Sequence, residues 1–108
     1  AVAGSVGEAT RRAKAAGLKD IEVECDTIEQ VKEALESGAD RLLLDNMPIN
    51  VLSEAVKVAA GRAPLEASGG VTLETIRKIA ETGVDYISVG AITLSAPAVD
   101  IGLDPVGD

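Results

Sequence analysis

The chain has 108 residues, a length that fits one hydrophobic core rather than two. Eighteen acidic residues against ten basic ones give a net charge of −8 with no histidine, which argues against a nucleic-acid or anionic-membrane surface and excludes Ser-His-Asp and Cys-His nucleophile arrangements. A single cysteine rules out an internal disulfide and a structural zinc site, and no apolar run approaches the roughly 18 residues of a membrane span.

Capping and glycine signals divide the chain at regular intervals. Ser5 with Glu8 forms a capping-box pattern, and Val6, Ala9, Ala13 and Ala16 follow at helical spacing before Gly17. The run Ile21–Cys25 then reads as a strand, and Thr27 with Gln30 opens a helix carrying Ile28, Val31, Ala34 and Leu35 up to Gly38. Arg41–Asp45 is the second strand-like run; Pro48 precedes a helix with Leu52, Ala55, Val56 and Ala59, closed by Gly61. Leu65–Ser68 is the third, after which Thr72 is predicted to open a helix through Leu73, Ile76, Ile79 and Ala80 to Gly83. Tyr86–Gly90 is the fourth. Thr93, Leu94 and Ser95 read as connecting residues or as supports behind a site, and Pro105 and Gly107 predict a frayed tail. Nothing at the N-terminus reads as a signal peptide, and the start at Ala1 suggests a piece of a longer chain.

The order helix, glycine, strand, cap, helix recurs about every 22 residues, which predicts a parallel sheet of βα units. Alternation along the strands assigns their faces. Ile21, Val23, Cys25, Leu42, Leu44, Leu65, Ala67, Ile87 and Val89 fall on one side and suit packing under helices. Glu22, Glu24, Arg41, Leu43, Asp45, Glu66, Ser68, Tyr86, Ser88 and Gly90 fall on the other. An open doubly wound sheet requires two apolar faces, whereas a barrel accepts a polar lumen near its mouth. The predicted fold is therefore α/β, with parallel βα repeats forming about half of a (β/α)8-type barrel and leaving two unpaired edges.

Seven residues beyond the successive closing glycines stand Glu24, Asp45, Ser68 and Gly90, each at the C-terminal end of its strand, the rim where such barrels carry out chemistry. Glu24 and Asp45 are expected at the same height on adjacent strands, able to share one cation or a sugar diol. The deeper Glu22 reads better as a solvated or ion-paired strand residue. Ser68-Gly69-Gly70 ahead of a helix, with Gly90-Ala91 ending the next strand, matches the paired loops that bind phosphate in barrels. Cys25 reads as a buried small hydrophobe, and Glu66 as a member of a buried ion pair below the rim.

The runs Ile-Glu-Val-Glu (21–24), Leu-Leu-Asp-Asn-Met (43–47), Leu-Glu-Ala-Ser-Gly-Gly-Val-Thr (65–72), Glu-Thr-Gly-Val-Asp-Tyr-Ile-Ser-Val-Gly-Ala (81–91) and Ser-Ala-Pro-Ala-Val-Asp-Ile-Gly-Leu (95–103) closely resemble quinolinate phosphoribosyltransferase, also called nicotinate-nucleotide pyrophosphorylase (carboxylating). The resemblance covers essentially the whole chain, in order, and implies that residues 1–108 are the C-terminal part of that family's barrel domain, without its N-terminal domain and first barrel strands. It implies a reaction of NAD biosynthesis in which quinolinate and 5-phosphoribosyl 1-pyrophosphate, with Mg2+, give nicotinate mononucleotide, pyrophosphate and CO2. It places Glu24 and Asp45 at the ribose hydroxyls and metal, and Ser68, Gly69, Gly70, Gly90 and Ala91 at the 5′-phosphate. It also implies a cytoplasmic homodimer or higher homo-oligomer. The family's arginines, His-Arg pair and lysine for the quinolinate carboxylates have no counterpart here, and Leu94 stands where many members carry a polar residue. The chain alone is therefore expected to be inactive; the rival expectation is a non-catalytic half-barrel or assembly module completed by another chain.

Overall fold

The structure, a computed structural model, describes residues 5–100; the predicted fraying of the tail lies beyond them. The elements follow in the order α1 (Val6–Ala15), β1 (Glu22–Cys25), α2 (Ile28–Glu36), β2 (Arg41–Asp45), α3 (Ile49–Ala59), β3 (Leu65–Ser68), α4 (Ile76–Glu81), β4 (Tyr86–Val89), β5 (Ile92–Ser95) and α5 (Ala96–Asp100). β1 to β4 are neighbours in chain order and pair in parallel, each connection crossing through a helix as parallel pairing requires. They make up about half of a (β/α)8-type barrel.

The caps act where the residue pattern put them. Ser5 Oγ accepts the Glu8 N–H at 3.2 Å, and Thr27 Oγ1 accepts the Gln30 N–H at 3.2 Å. Gln30 Oε1 in return accepts the Asp26 N–H, closing the entry to α2 from both sides. Two aspartates at the far end of the sheet work alike. Asp40, just before β2, accepts the Ile21 N–H at 2.8 Å, and Asp85, just before β4, accepts the Leu65 N–H at 2.9 Å. The Ile21 amide, helped by Lys14 at 3.6 Å, holds the Asp40 carboxyl below the usual carboxylate range.

The two faces separate as the alternation requires. Cys25, Leu42, Leu44 and Ile87 are fully buried, and Leu65 and Ala67 nearly so, under Val31, Ala34 and Leu35 of α2, Leu52, Ala55 and Ala59 of α3, and Ile76 and Ile79 of α4. Small alanines on the helices let them lie close to the sheet. The opposite face carries the polar side chains.

Two expectations are corrected. The fourth helix begins at Ile76 rather than Thr72. Thr72 and Thr75 form a turn ahead of it, Thr72 Oγ1 accepting the Thr75 N–H at 3.2 Å, so hydroxyl bonding competes with helical geometry there. The chain also does not stop at four strands. Gly90 (φ +61°) and Ala91 form a two-residue turn, and β5 returns antiparallel along β4, with Val89 opposite Ile92 and Tyr86 opposite Ser95. β5 thus covers the edge of β4, and β1 and β5 remain unpaired on their outer sides among the described residues. Leu94 lies opposite Ile87 and packs on the helix-side core, away from the rim.

Leu44→Ala removes a fully buried side chain from the centre of this sheet and is expected to lower the unfolding free energy by about 2–5 kcal/mol in urea titrations. Leu73→Ala, at a side chain 61% exposed, is expected to change it by no more than about 0.5 kcal/mol.

Candidate functional site

The rim at the C-terminal ends of the strands brings four of the candidate residues to one end of the sheet, with a stagger that equal spacing from the glycines concealed. Glu24 pairs with Leu43, not with Asp45, so Asp45 stands two residues nearer the mouth. Asp45 is level with Ser68. Glu66 pairs with Tyr86, which carries Gly90 a further two residues beyond the level of Ser68. The expectation of a common height for Glu24 and Asp45 is therefore wrong. The physical reason is the shear that tilted strands need in order to close into a barrel.

The stagger does not separate the acids. Glu24, Asp26 and Asp45 each place a carboxylate oxygen within 4.8 Å of the others, two of them exposed and Asp45 half-buried. Ser68 Oγ donates to Asp45 Oδ1 at 3.3 Å. A hydrogen bond with Asp45, then the charge of that same residue, push the Glu24 carboxyl above its usual range, with the Asp26 charge adding to the effect. Asp26 was not singled out from the sequence because it lies one residue beyond the strand. Strand alternation ends at Cys25, so only the convergence of the three acids marks it.

The loop after Ser68 is shaped by this neighbourhood. Gly69 has φ +84° and Gly70 φ +68°. A Cβ on Gly69 would come within 2.8 Å of Asp45 Oδ1 and 2.9 Å of Asn46 Oδ1, so only glycine allows the loop to pass over the end of β2. The Asn46 N–H in turn donates to the Ser68 carbonyl at 2.9 Å, tying the two strand ends together. Gly90 and Ala91 lie at the same end of the sheet but in a β-hairpin turn, not in the βα loop that was expected.

The residues set aside behave accordingly. Cys25 is fully buried, and burial pushes its thiol up to about 11, which leaves it protonated and unreactive near neutrality. Glu22 is exposed at the start of β1, across from Arg41. Arg41 is the one Lys or Arg that lies in a strand, at the end away from the rim.

Glu24 holds its proton more tightly folded than unfolded, so its ionisation reduces stability as pH rises from about 4 through its raised folded value. Glu24→Gln is expected to melt with the wild type at low pH and above it at pH 7, in scans without divalent ions. An equal difference at both pH values would contradict the assignment.

A family profile described as "Quinolinate phosphoribosyl transferase, C-terminal domain" matches residues 1–104. A Bacillus subtilis protein named probable nicotinate-nucleotide pyrophosphorylase [carboxylating] is 42% identical over 106 residues, covering 96% of this chain and 37% of that protein. Quinolinate phosphoribosyltransferase [decarboxylating] 2, mitochondrial, from Nicotiana glauca is 47% identical over 98 residues, covering 77% of this chain and 28% of that one. The crystal structure of nicotinate-nucleotide pyrophosphorylase from Ehrlichia chaffeensis superposes with a TM-score of 0.75 at 45% identity, over 81% of this chain and 32% of that one. The chain thus spans about a third of the length of the proteins it matches, and it belongs to the quinolinate phosphoribosyltransferase family, matching its C-terminal-domain profile over residues 1–104.

Proposed function

We propose that this chain forms the ribose, metal and phosphate side of an active site that transfers the phosphoribosyl group of 5-phosphoribosyl 1-pyrophosphate to quinolinate, giving nicotinate mononucleotide, pyrophosphate and CO2. The observation that carries the proposal is the meeting of Glu24, Asp45 and the Ser68-Gly69-Gly70 loop at one rim. Glu24 and Asp45 accept the two ribose hydroxyls and orient the sugar. As the bond from the ribose C1 to pyrophosphate lengthens, positive charge develops on the ring, and the same carboxylates stabilise it. The N–H groups of Ser68–Gly70 and of the Gly90–Ala91 turn hold the 5′-phosphate, so that the reacting carbon is fixed relative to the acids. With α4 beginning only at Ile76, the loop amides rather than a helix end supply this binding.

Three carboxylates converging within 4.8 Å, one of them already resisting ionisation, are a donor set suited to a hard divalent cation. Mg2+ would be held by Glu24 and Asp45, with Asp26 as a third oxygen donor. When bound, Mg2+ neutralises charge on the departing pyrophosphate.

Quinolinate is a dianion, and among the described residues no Lys or Arg lies at the rim end of a strand. The ring-binding cations must come from outside this segment, which by itself does not turn over. The open outer side of β1 favours completion of the sheet by further strands, and we place the assembled protein in the cytoplasm as a homodimer or larger homo-oligomer. No helix among the described residues is long and apolar enough to cross a membrane. Cell fractionation tests the location, since the Nicotiana glauca relative is named as mitochondrial. A half-barrel that only assembles with another chain is the second reading. It gains support if sedimentation shows association while phosphoribosyl pyrophosphate has no effect on stability.

In thermal scans with Mg2+, 5-phosphoribosyl 1-pyrophosphate is expected to raise the melting temperature and glycerol phosphate to do so much less. Saturation at 100 times Kd corresponds to about 2.7 kcal/mol. Asp45→Ala is expected to abolish the difference. Equal stabilisation by both ligands would overturn the proposal, and nicotinate mononucleotide formation by the 108-residue chain alone would overturn the expectation that the segment does not turn over by itself.

A further inference from the structure

Glu66 is the one buried charged side chain among the described residues, at 8% exposure, and a carboxylate in that position is costly unless partners replace its water. Its partners come from both neighbouring strands. Oε2 accepts a hydrogen bond from Ser88 Oγ on β4, and Oε1 stands 3.8 Å from Arg41 Nη1 on β2. The Arg41 guanidinium lies 5.3 Å over the Tyr86 ring. Ser88 Oγ is also 3.3 Å from Thr93 Oγ1, which brings β5 into the same network.

The backbone explains why this tie matters. The β1–β2 and β2–β3 ladders each run for four residue pairs, whereas β3 and β4 pair only at Glu66 with Tyr86 and Ala67 with Ile87. Past that point no ladder pair sets the distance between the strands, and the two glycine-bearing turns begin there. Ser88 sits one residue beyond the last pair and Glu66 two residues before Ser68, so their bond spans the place where the ladder gives out.

We infer that the Glu66–Ser88 contact sets the separation between the Ser68-Gly69-Gly70 loop and the Gly90-Ala91 turn. Both are positioning residues for a phosphate group that neither needs to touch. The inference rests on the phosphate assignment proposed above. A phosphate held from two sides needs N–H donors at about 2.7–3.2 Å from its oxygens on each side, and donors on two strand ends that do not pair with each other keep such spacing only if something else fixes it.

The test is titration of inorganic phosphate into the 108-residue chain, followed through the amide resonances of Gly69, Gly70 and Gly90, with thermal melts of each variant. Ser88→Ala is expected to weaken phosphate binding about tenfold, and Ser88→Thr, which keeps the hydroxyl, to restore it. A lower melting temperature for Ser88→Ala with unchanged phosphate affinity would make the contact merely structural and overturn the inference. Should Ser88→Ala not fold, Glu66→Gln serves instead, and unchanged affinity there overturns it equally. Gly70→Ala separates the two layers. If Gly70→Ala loses phosphate while Ser88→Ala does not, the positioning role fails and the phosphate site stands. If the wild type does not bind phosphate, or Gly70→Ala binds it normally, the phosphate assignment fails and this inference with it.

Discussion

The parallel register of β1 to β4 is the constraint on which the rest of the molecule depends. Because side chains alternate along each strand, the register that buries Leu42, Leu44, Ala67 and Ile87 under the helices also commits Glu24, Asp45, Glu66 and Ser68 to the opposite face. A slip by one residue would exchange the two sets, exposing the aliphatic core and burying a row of carboxylates. The dry packing of the helix side therefore holds the acids at the rim. It also explains why an almost purely aliphatic core suffices, since alanines and branched side chains let short helices approach the sheet closely.

Carboxylates on the polar face are managed in two ways. At the mouth, Glu24, Asp26 and Asp45 remain largely in water, so their closeness is tolerated and appears, through the hydrogen bond with Asp45 and then the neighbouring charges, as the raised affinity of Glu24 for its proton. One level deeper, Glu66 is out of water and is compensated by Ser88 and Arg41. The polar side of the sheet thus grades from a paired, water-poor interior to an uncompensated acidic rim. A surface left with excess negative charge is suited to a cation or to sugar hydroxyls and repels an anion that arrives without one.

Much of this was legible in the sequence because it depends on local signals. The caps at Ser5 and Thr27, the four parallel strands and the two-faced alternation follow from residue types and spacing alone. The features that were not legible are those set by neighbouring strands. Counting from the closing glycines put Glu24 and Asp45 at one height, whereas the barrel stagger sets them two residues apart. Gly90-Ala91 could start either a crossover or a hairpin. The β-branched Ile92 and Thr93 after it, facing an open strand edge, decide for the hairpin. Asp26 lay one residue past the strand run, and only its convergence with two other acids marks it. The chemistry assigned to Glu24, Asp45, Ser68, Gly69, Gly70, Gly90 and Ala91 rests on family resemblance and on their convergence, since neighbouring carboxylates alone do not name a substrate.

The most direct measurement is a residue-resolved amide NMR titration of the chain with 5-phosphoribosyl 1-pyrophosphate in the presence of Mg2+. Binding at the rim should move the resonances of Glu24, Asp26, Asp45, Ser68–Gly70 and Gly90 together, with a single dissociation constant. Saturable shifts confined to the other end of the sheet, around Asp20, Asp40 and Arg41, or no saturable shifts at all, would contradict the assignment of the rim as the substrate site.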